Sequence, residues 1–175
     1  MDLYRVHTKI LIPFVNETIK ALADMADLEG TFGNGIQENV NEYDCSGYAV
    51  CVVARTFGSI EGKVVMNHQI KSALTIGNRL LAKLLGEPYN LREITTEIGE
   101  ALTEFSNTVI GLATRALSNS GSQLQFSAPL NIDRPADKGF LMEGVEEILS
   151  IPIDIAGVGS ISFSYLLHQK THKVP

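Results

Sequence analysis

"VEEILSIPIDI" (145–155) and "SISFSYLLH" (160–168), separated only by Ala156, Gly157, Val158 and Gly159, read as one long β-hairpin. The second half sets Ser against Ile, Phe and Tyr in turn, the two-residue period of a strand with one face buried. Two glycines in the short connection supply the turn. A hairpin makes its strands antiparallel, and an antiparallel sheet needs something apolar to cover a face. The rest of the chain is read for that cover.

Upstream lies a second hairpin. "YAVCVVART" (48–56) is dense in β-branched and small apolar residues, and Phe57-Gly58-Ser59 turns it into "IEGKVVMNH" (60–68). "LQFSAP" (124–129) adds a further strand. The cover is helical. "QIKSALTIGNRLLAKLLGE" (69–87) places Ile70, Ala73, Leu74, Gly77, Leu80, Leu81 and Leu84 on one face and stops at Gly86. A first helix runs from about Ile12 to Glu29 on Phe14, Ile19, Leu22, Ala23 and Ala26, with Gly30 closing it. Between it and the strands, "GTFGNGIQENVNEYD" (30–44) reads as a flexible polar loop. The longest helical pattern is "NLREITTEIGEALTEFSNTVIGLATRALSNSG" (90–121), with Asn90 and Glu93 as a capping pair and Gly121 as its stop. The predicted fold class is therefore α+β: an antiparallel β-sheet covered by amphipathic helices, in two layers. Residues 1–175 form one predicted domain with a polar tail from about 169. A weak internal repeat joins "PFVNETIKAL" (13–22) to "EFSNTVIGLA" (104–113), each with Phe-x-Asn early in a helix that precedes strands.

Charge and composition exclude several function classes. The net charge is −6, from 14 basic and 20 acidic residues, so the chain lacks the clustered cations that a nucleic-acid backbone or an anionic membrane surface requires. With no tryptophan among its residues it also offers a poor stacking platform for single-stranded nucleic acid. "MDLYRVHTKILIPF" is too short and too broken by Pro13 to span a membrane or direct secretion, which leaves the cytoplasm as the expected compartment. Cys45 and Cys51 read as small residues in or beside a strand rather than as a disulfide or metal pair.

The candidate site lies on the long helix. At about 100° per residue, Ile94, Ile98, Ala101, Leu102, Phe105, Val109, Leu112 and Ala116 form one apolar arc. Glu97, Glu100, Glu104, Asn107, Gly111 and Arg115 form a second arc about a third of a turn away. A solvated face accounts for Glu97 and Glu100. It accounts less well for Asn107 and Gly111, because both are poor helix formers and Gly costs about 1 kcal/mol relative to Ala. Close approach of a partner to this ridge is the alternative.

Glu104-x-x-Asn107, followed after twenty-one intervening residues by Pro129, resembles the active-site signature of the CheC/CheX/FliY chemotaxis phosphatases. The likeness extends to "IPFVNETIKALADMADLEG", "GSIEGKVVMNHQIKSALTIGNRLLAKLLGE" and "GVGSISFSYLL", which together span much of the chain. Glu100 stands where that signature has Asp or Ser. The resemblance implies a phosphatase acting on the aspartyl phosphate of a CheY-type response regulator, with Glu104 and Asn107 as the catalytic pair. Asn107 would orient the attacking water and Glu104 would bond a lysine of the regulator. Glu100, Gly111 and Pro129 are the expected partner-binding or shaping positions. No cofactor is expected on this chain, Mg²⁺ being supplied by the regulator, and a homodimer of the CheX type is implied. In the first half, Pro13 and Lys20 replace the counterparts of Glu104 and Gly111, so Asn16 is expected to form no second site. A non-catalytic module of the same fold, binding a regulator or a flagellar-switch partner, is the alternative function.

Other motifs carry less. His168-x-x-x-His172 has metal spacing but no third ligand nearby. Glu100 and Glu104 lack the paired Glu-x-x-His elements of a carboxylate-bridged metal bundle. Gly157-x-Gly159 precedes a strand, not the helix that a dinucleotide-binding turn requires.

Overall fold

The computed structural model describes residues 6–119, 123–132 and 137–168. A π-helical turn, His7–Leu11, runs directly into α1 (Ile12–Ala26), followed by β1 (Gly30–Phe32), β2 (Ile36–Glu38), β3 (Val50–Gly58) and β4 (Gly62–His68). Then come α2 (Ile70–Leu85), α3 (Thr96–Asn119), β5 (Leu124–Phe126), β6 (Leu130–Ile132), α4 (Asp137–Met142), β7 (Val145–Ile155) and β8 (Gly159–His168). The sheet runs β1-β7-β8-β4-β3-β5, with β2 also on β7 and β6 also on β3, and every pairing is antiparallel.

The β7–β8 hairpin is the centre of this order. Its register sets Ile153 against Ile161, Ile151 against Phe163 and Leu149 against Tyr165. Gly157 and Gly159 make the turn at φ 72° and 136°, backbone conformations that favour glycine. Alternation sends Ile151, Ile153, Ile161 and Phe163 into the main core beneath the helices. Phe14 of α1 meets Phe163 at 5.3 Å and Phe126 at 5.1 Å between ring centroids, tying the first helix to both halves of the sheet.

The reverse face of the sheet is also covered, by a smaller cluster that includes Cys51, Val53, Val65, Ile148 and Leu166. Leu141 of α4 and Cys45 of the loop before β3 complete it. Lys63 crosses this face and donates from Nζ to the carbonyls of Leu141 at 2.9 Å and Glu143 at 3.1 Å, which pins α4 to the sheet. Burial, with Arg55 nearby, lowers its pKa. Cys45 and Cys51 are buried thiols, as expected of small core residues, and Cys51 Sγ donates to the Cys45 carbonyl at 3.7 Å.

Several sequence expectations are corrected. The 30–44 stretch is not simply a loop: β1 and β2 pair with β7, Gly30 opposite Ile155 and Ile36 opposite Ser150. Each is three residues long, too short to carry a periodic signal. The first helix closes at Asp27, not Gly30. Asp27 takes a left-handed conformation at φ 52°, donating from its N–H to Ala23, while the N–H of Leu28 donates to Leu22. Arg79 of α2 donates to the carbonyls of Ala26 and Asp27, and Lys83 to that of Asp24 and to the Asp27 carboxylate, so α2 satisfies the end of α1.

The long helix begins at Thr96 rather than near Asn90. Asn78 of α2 donates to the Leu91 carbonyl at 2.9 Å and accepts from its N–H at 2.7 Å. That takes the Leu91 carbonyl which a helix starting at Asn90 would offer to the N–H of Thr95, and ties the segment before α3 to α2. The Thr95 hydroxyl instead accepts from the N–H of Ile98. Helices α2 and α3 then pack at Gly77, where an added Cβ would stand 2.7 Å from Ile98 Cδ1. The predicted strand 124–129 is interrupted. Phe126 faces Thr56 and Leu130 faces Val53, so Ser127, Ala128 and Pro129 stand opposite only Ala54 and Arg55. This extra residue is a bulge, fitting for a proline that cannot donate to the ladder. The Gly121 stop, His172 and the tail from 169 lie outside the described residues.

Candidate functional site: the outer ridge of the long helix

Helix α3 buries Ile98, Gly99, Leu102, Phe105, Ser106, Val109, Ala113 and Leu117. The buried arc is thus shifted from the predicted one: Ala101, Leu112 and Ala116 are only half-buried, and Ala113 and Leu117 replace the last two. On the outer side, Glu97, Glu100, Glu104, Asn107, Gly111 and Arg115 are all exposed, as the spacing predicts. Glu97 sits at the helix start, and its carboxyl is held below the ordinary range by a bond from Thr95 and by its own backbone N–H.

Four hydroxyls of this helix are satisfied within it. Thr103, Ser106, Thr108 and Thr114 each donate to the carbonyl four residues back, at 2.7 to 3.1 Å. Glu104 and Asn107 are different. Among the described residues neither the Glu104 carboxylate nor the Asn107 carboxamide has a partner in this chain. They are one helical turn apart on one ridge, so a carboxylate and an amide project into solvent side by side. The amide offers one acceptor and two donor hydrogens. Gly111, a turn further on, has no atom within 4 Å of where a Cβ would stand. The fold therefore does not require glycine there.

Pro129 approaches from the sheet. The β5–β6 bulge brings it across from Glu100 and Glu104, and together they border a concavity of about 560 Å³ whose other walls include Thr103, Leu130 and Asn131. Asn131 seats directly on the helix: a Cβ on Gly99 would lie 2.9 Å from its Nδ2. Of the five predicted site residues, Glu100, Glu104 and Pro129 share this concavity, whereas Asn107 and Gly111 continue the same ridge beyond it. Leu130 and Asn131 were not anticipated. The only signal in the sequence was a leucine next to Pro129, and no periodicity marks a three-residue strand.

The first half presents a different surface. Asn16 is exposed on α1, but Lys20, at the place matching Gly111, is paired with Glu17 at 2.6 Å. Pro13 occupies the start of the helix. Among the described residues no group of three His, Cys, Asp or Glu is arranged to hold a metal, and no helix is long and apolar enough to cross a membrane.

The antiparallel sheet and its covering helices match the CheC/CheX-like fold. The CheC-like protein of Shewanella sp. PV-4 superposes with a TM-score of 0.71 at 19% identity, covering 93% of this chain and 99% of that one. CheX of Desulfovibrio desulfuricans gives 0.67 at 19% identity over 90% of this chain and 97% of its own. CheX of Borrelia burgdorferi, solved in complex with CheY, BeF₃ and Mg²⁺, gives 0.66 at 21% identity over 91% and 97%. No protein-family model matches the chain, and no curated protein matches it by sequence.

Gly111 provides a test of whether the ridge is a working surface. Gly111→Ala should raise stability by up to about 1 kcal/mol in urea unfolding, because Ala is the better helix former and the space is open. The same variant should weaken binding of any partner that closes on the ridge. A stability gain with partner affinity unchanged would show that nothing approaches Gly111.

Proposed function

We propose that this chain hydrolyses the aspartyl phosphate of a CheY-type response regulator. The observation that carries the reading is the Glu104–Asn107 pair: two exposed side chains on adjacent turns that have no partner in this chain among the described residues, beside an open glycine. A purely solvated face has no use for an amide at that position or for a helix-weakening glycine after it. The CheX of Borrelia burgdorferi solved with CheY supports a CheY-type regulator as the partner.

In this reading the regulator brings the phosphoryl group and its Mg²⁺. The Asn107 carbonyl accepts a hydrogen bond from a water placed in line with phosphorus, and its NH₂ donates to a phosphoryl oxygen. The water oxygen bonds to phosphorus as the bond from phosphorus to the aspartyl oxygen breaks. The aspartate leaves as carboxylate, inorganic phosphate forms, and the water's protons go to phosphate and solvent. Little covalent chemistry is asked of this chain, so its contribution is position. Glu104 anchors a regulator lysine by a charge-assisted bond, which fixes where Asn107 enters.

The test is the lifetime of phosphorylated regulators from the same cell with this protein added. At least one should lose its phosphoryl group faster. Binding without acceleration would instead mark a docking module of the same fold.

A further inference from the structure

We infer that the reverse face of the sheet carries an oxyanion-binding site, formed by Arg55 of β3, Lys63 of β4 and His168 of β8, which takes a phosphate or carboxylate group of a small ligand. It lies across the sheet from α3 and does not depend on the reading above.

Three observations converge on it. The first is a like-charge pair: Arg55 and Lys63 stand directly opposite each other in the β3–β4 register. Cations so placed repel, and the pairing weakens a sheet unless something compensates it. Lys63 is only 1% exposed, and a cation withdrawn from water needs compensation most. Neither cation is in an ion pair among the described residues. The Phe140 ring lies 4.4 Å from the Arg55 guanidinium carbon and 5.2 Å from Lys63 Nζ, which covers the pair without neutralising it. Two of the three Lys63 hydrogens go to the carbonyls of Leu141 and Glu143, which leaves the third.

The second observation is space. Both cations border a concavity of about 470 Å³, whose walls also include Phe57, Gly144 and His168. The third is an orphaned donor. Nε2 of His168 is buried and has no hydrogen-bond partner among the described residues. One oxyanion answers all three, because it can accept from the Arg55 fork, from the remaining Lys63 hydrogen and from the imidazole N–H. Glu61 and Glu143 share the rim, and both are exposed. Water and salt screen these carboxylates, whereas Lys63 acts from the interior, where screening is weak. Phe57, 45% exposed beside the same concavity, offers an apolar wall, so the ligand carries an apolar or aromatic portion next to its anionic group.

The experiment follows the His168 imidazole by NMR in the whole chain while phenyl phosphate or benzoate is added at constant ionic strength, with sodium chloride as control. At least one of the two should shift the His168 signals saturably, with Kd near or below about 1 mM, while chloride does not. Arg55→Gln should weaken that binding at least about fivefold, and Glu61→Gln should tighten it about twofold. The Glu61 variant guards against a folding artefact, since damage to the fold does not improve affinity. Binding of phenyl phosphate alone or of benzoate alone names the anionic group, and either bears out the site, as does binding of both. No saturable shift with either compound, or a Kd unmoved in Arg55→Gln, overturns the inference and leaves the phosphatase reading standing.

Discussion

Replacing Asn107 with alanine should slow dephosphorylation of the regulator about 100-fold while leaving its binding nearly intact. The size follows from the task assigned to the amide. Orienting one water against phosphorus and supporting one phosphoryl oxygen is worth roughly 3 kcal/mol, the cost of losing a single well-placed polar group in a preorganised site. The split between rate and affinity follows from position. Asn107 is exposed and bonds nothing in its own chain among the described residues, so its loss disturbs neither helix nor core. In the proposed reaction its two hydrogen bonds form to the aligned water and the phosphoryl oxygen, so the loss is expected to fall on the maximal rate. Asn107→Gln tests the geometry separately. It keeps the chemistry but moves the amide outward by one methylene, and should recover little of the rate. Stopped-flow decay at saturating protein, beside a binding titration, reads both quantities. A variant that lost affinity and rate together would make Asn107 a docking residue.

The second large effect concerns His68 and acid stability. His68 closes β4, opposite Val50 of β3 and Ile161 of β8, and is wholly buried. Among the described residues neither ring nitrogen has a hydrogen-bond partner. Burial without a partner penalises the charged imidazolium and drives the pKa from 6.5 to about 4. The unfolded chain therefore takes up the proton first as pH falls. Above the ordinary histidine value both states are neutral and stability is undiminished. Below it the unfolded state gains a proton that the folded state refuses, so stability falls through the interval down to about pH 4. The loss integrates to about 3 kcal/mol between neutral pH and about pH 4. His68→Met should remove most of that slope in urea unfolding across this range. His168, whose pKa is also lowered by burial and by Lys63, should leave a smaller slope in the same direction. A His68→Met profile parallel to wild type would mean that the imidazole is solvated or partnered in solution.

The parts of the fold that could be read from sequence are those whose signal is local and repeated. The β7–β8 and β3–β4 hairpins each pair neighbouring segments through a short glycine-bearing turn, and α2 keeps its apolar face for sixteen residues to a glycine cap. What could not be read depends on distant partners. Strands β1, β2, β5 and β6 have three residues each, and only β7 or β3 makes them strands. The start of α3 was misplaced for the same reason, because Asn78, from another helix, occupies the backbone of Leu91. The site divides along the same line. Glu104 and Asn107 are three apart on one helix, so their shared ridge follows from helical geometry alone. The concavity beside Pro129 needs a bulge that no short-range pattern encodes, and Asn131 meets α3 only once β6 is laid on β3.

The central claim is that the exposed Asn107 amide on α3 directs water at a phosphoryl group. Its most direct test is a single-turnover decay of the phosphorylated regulator, with Mg²⁺ present and this protein in excess, for wild type and Asn107→Ala at matched occupancy. Wild type should shorten the regulator's half-life, and the variant should bind while returning it to nearly the unassisted value. Equal acceleration by both would contradict the account.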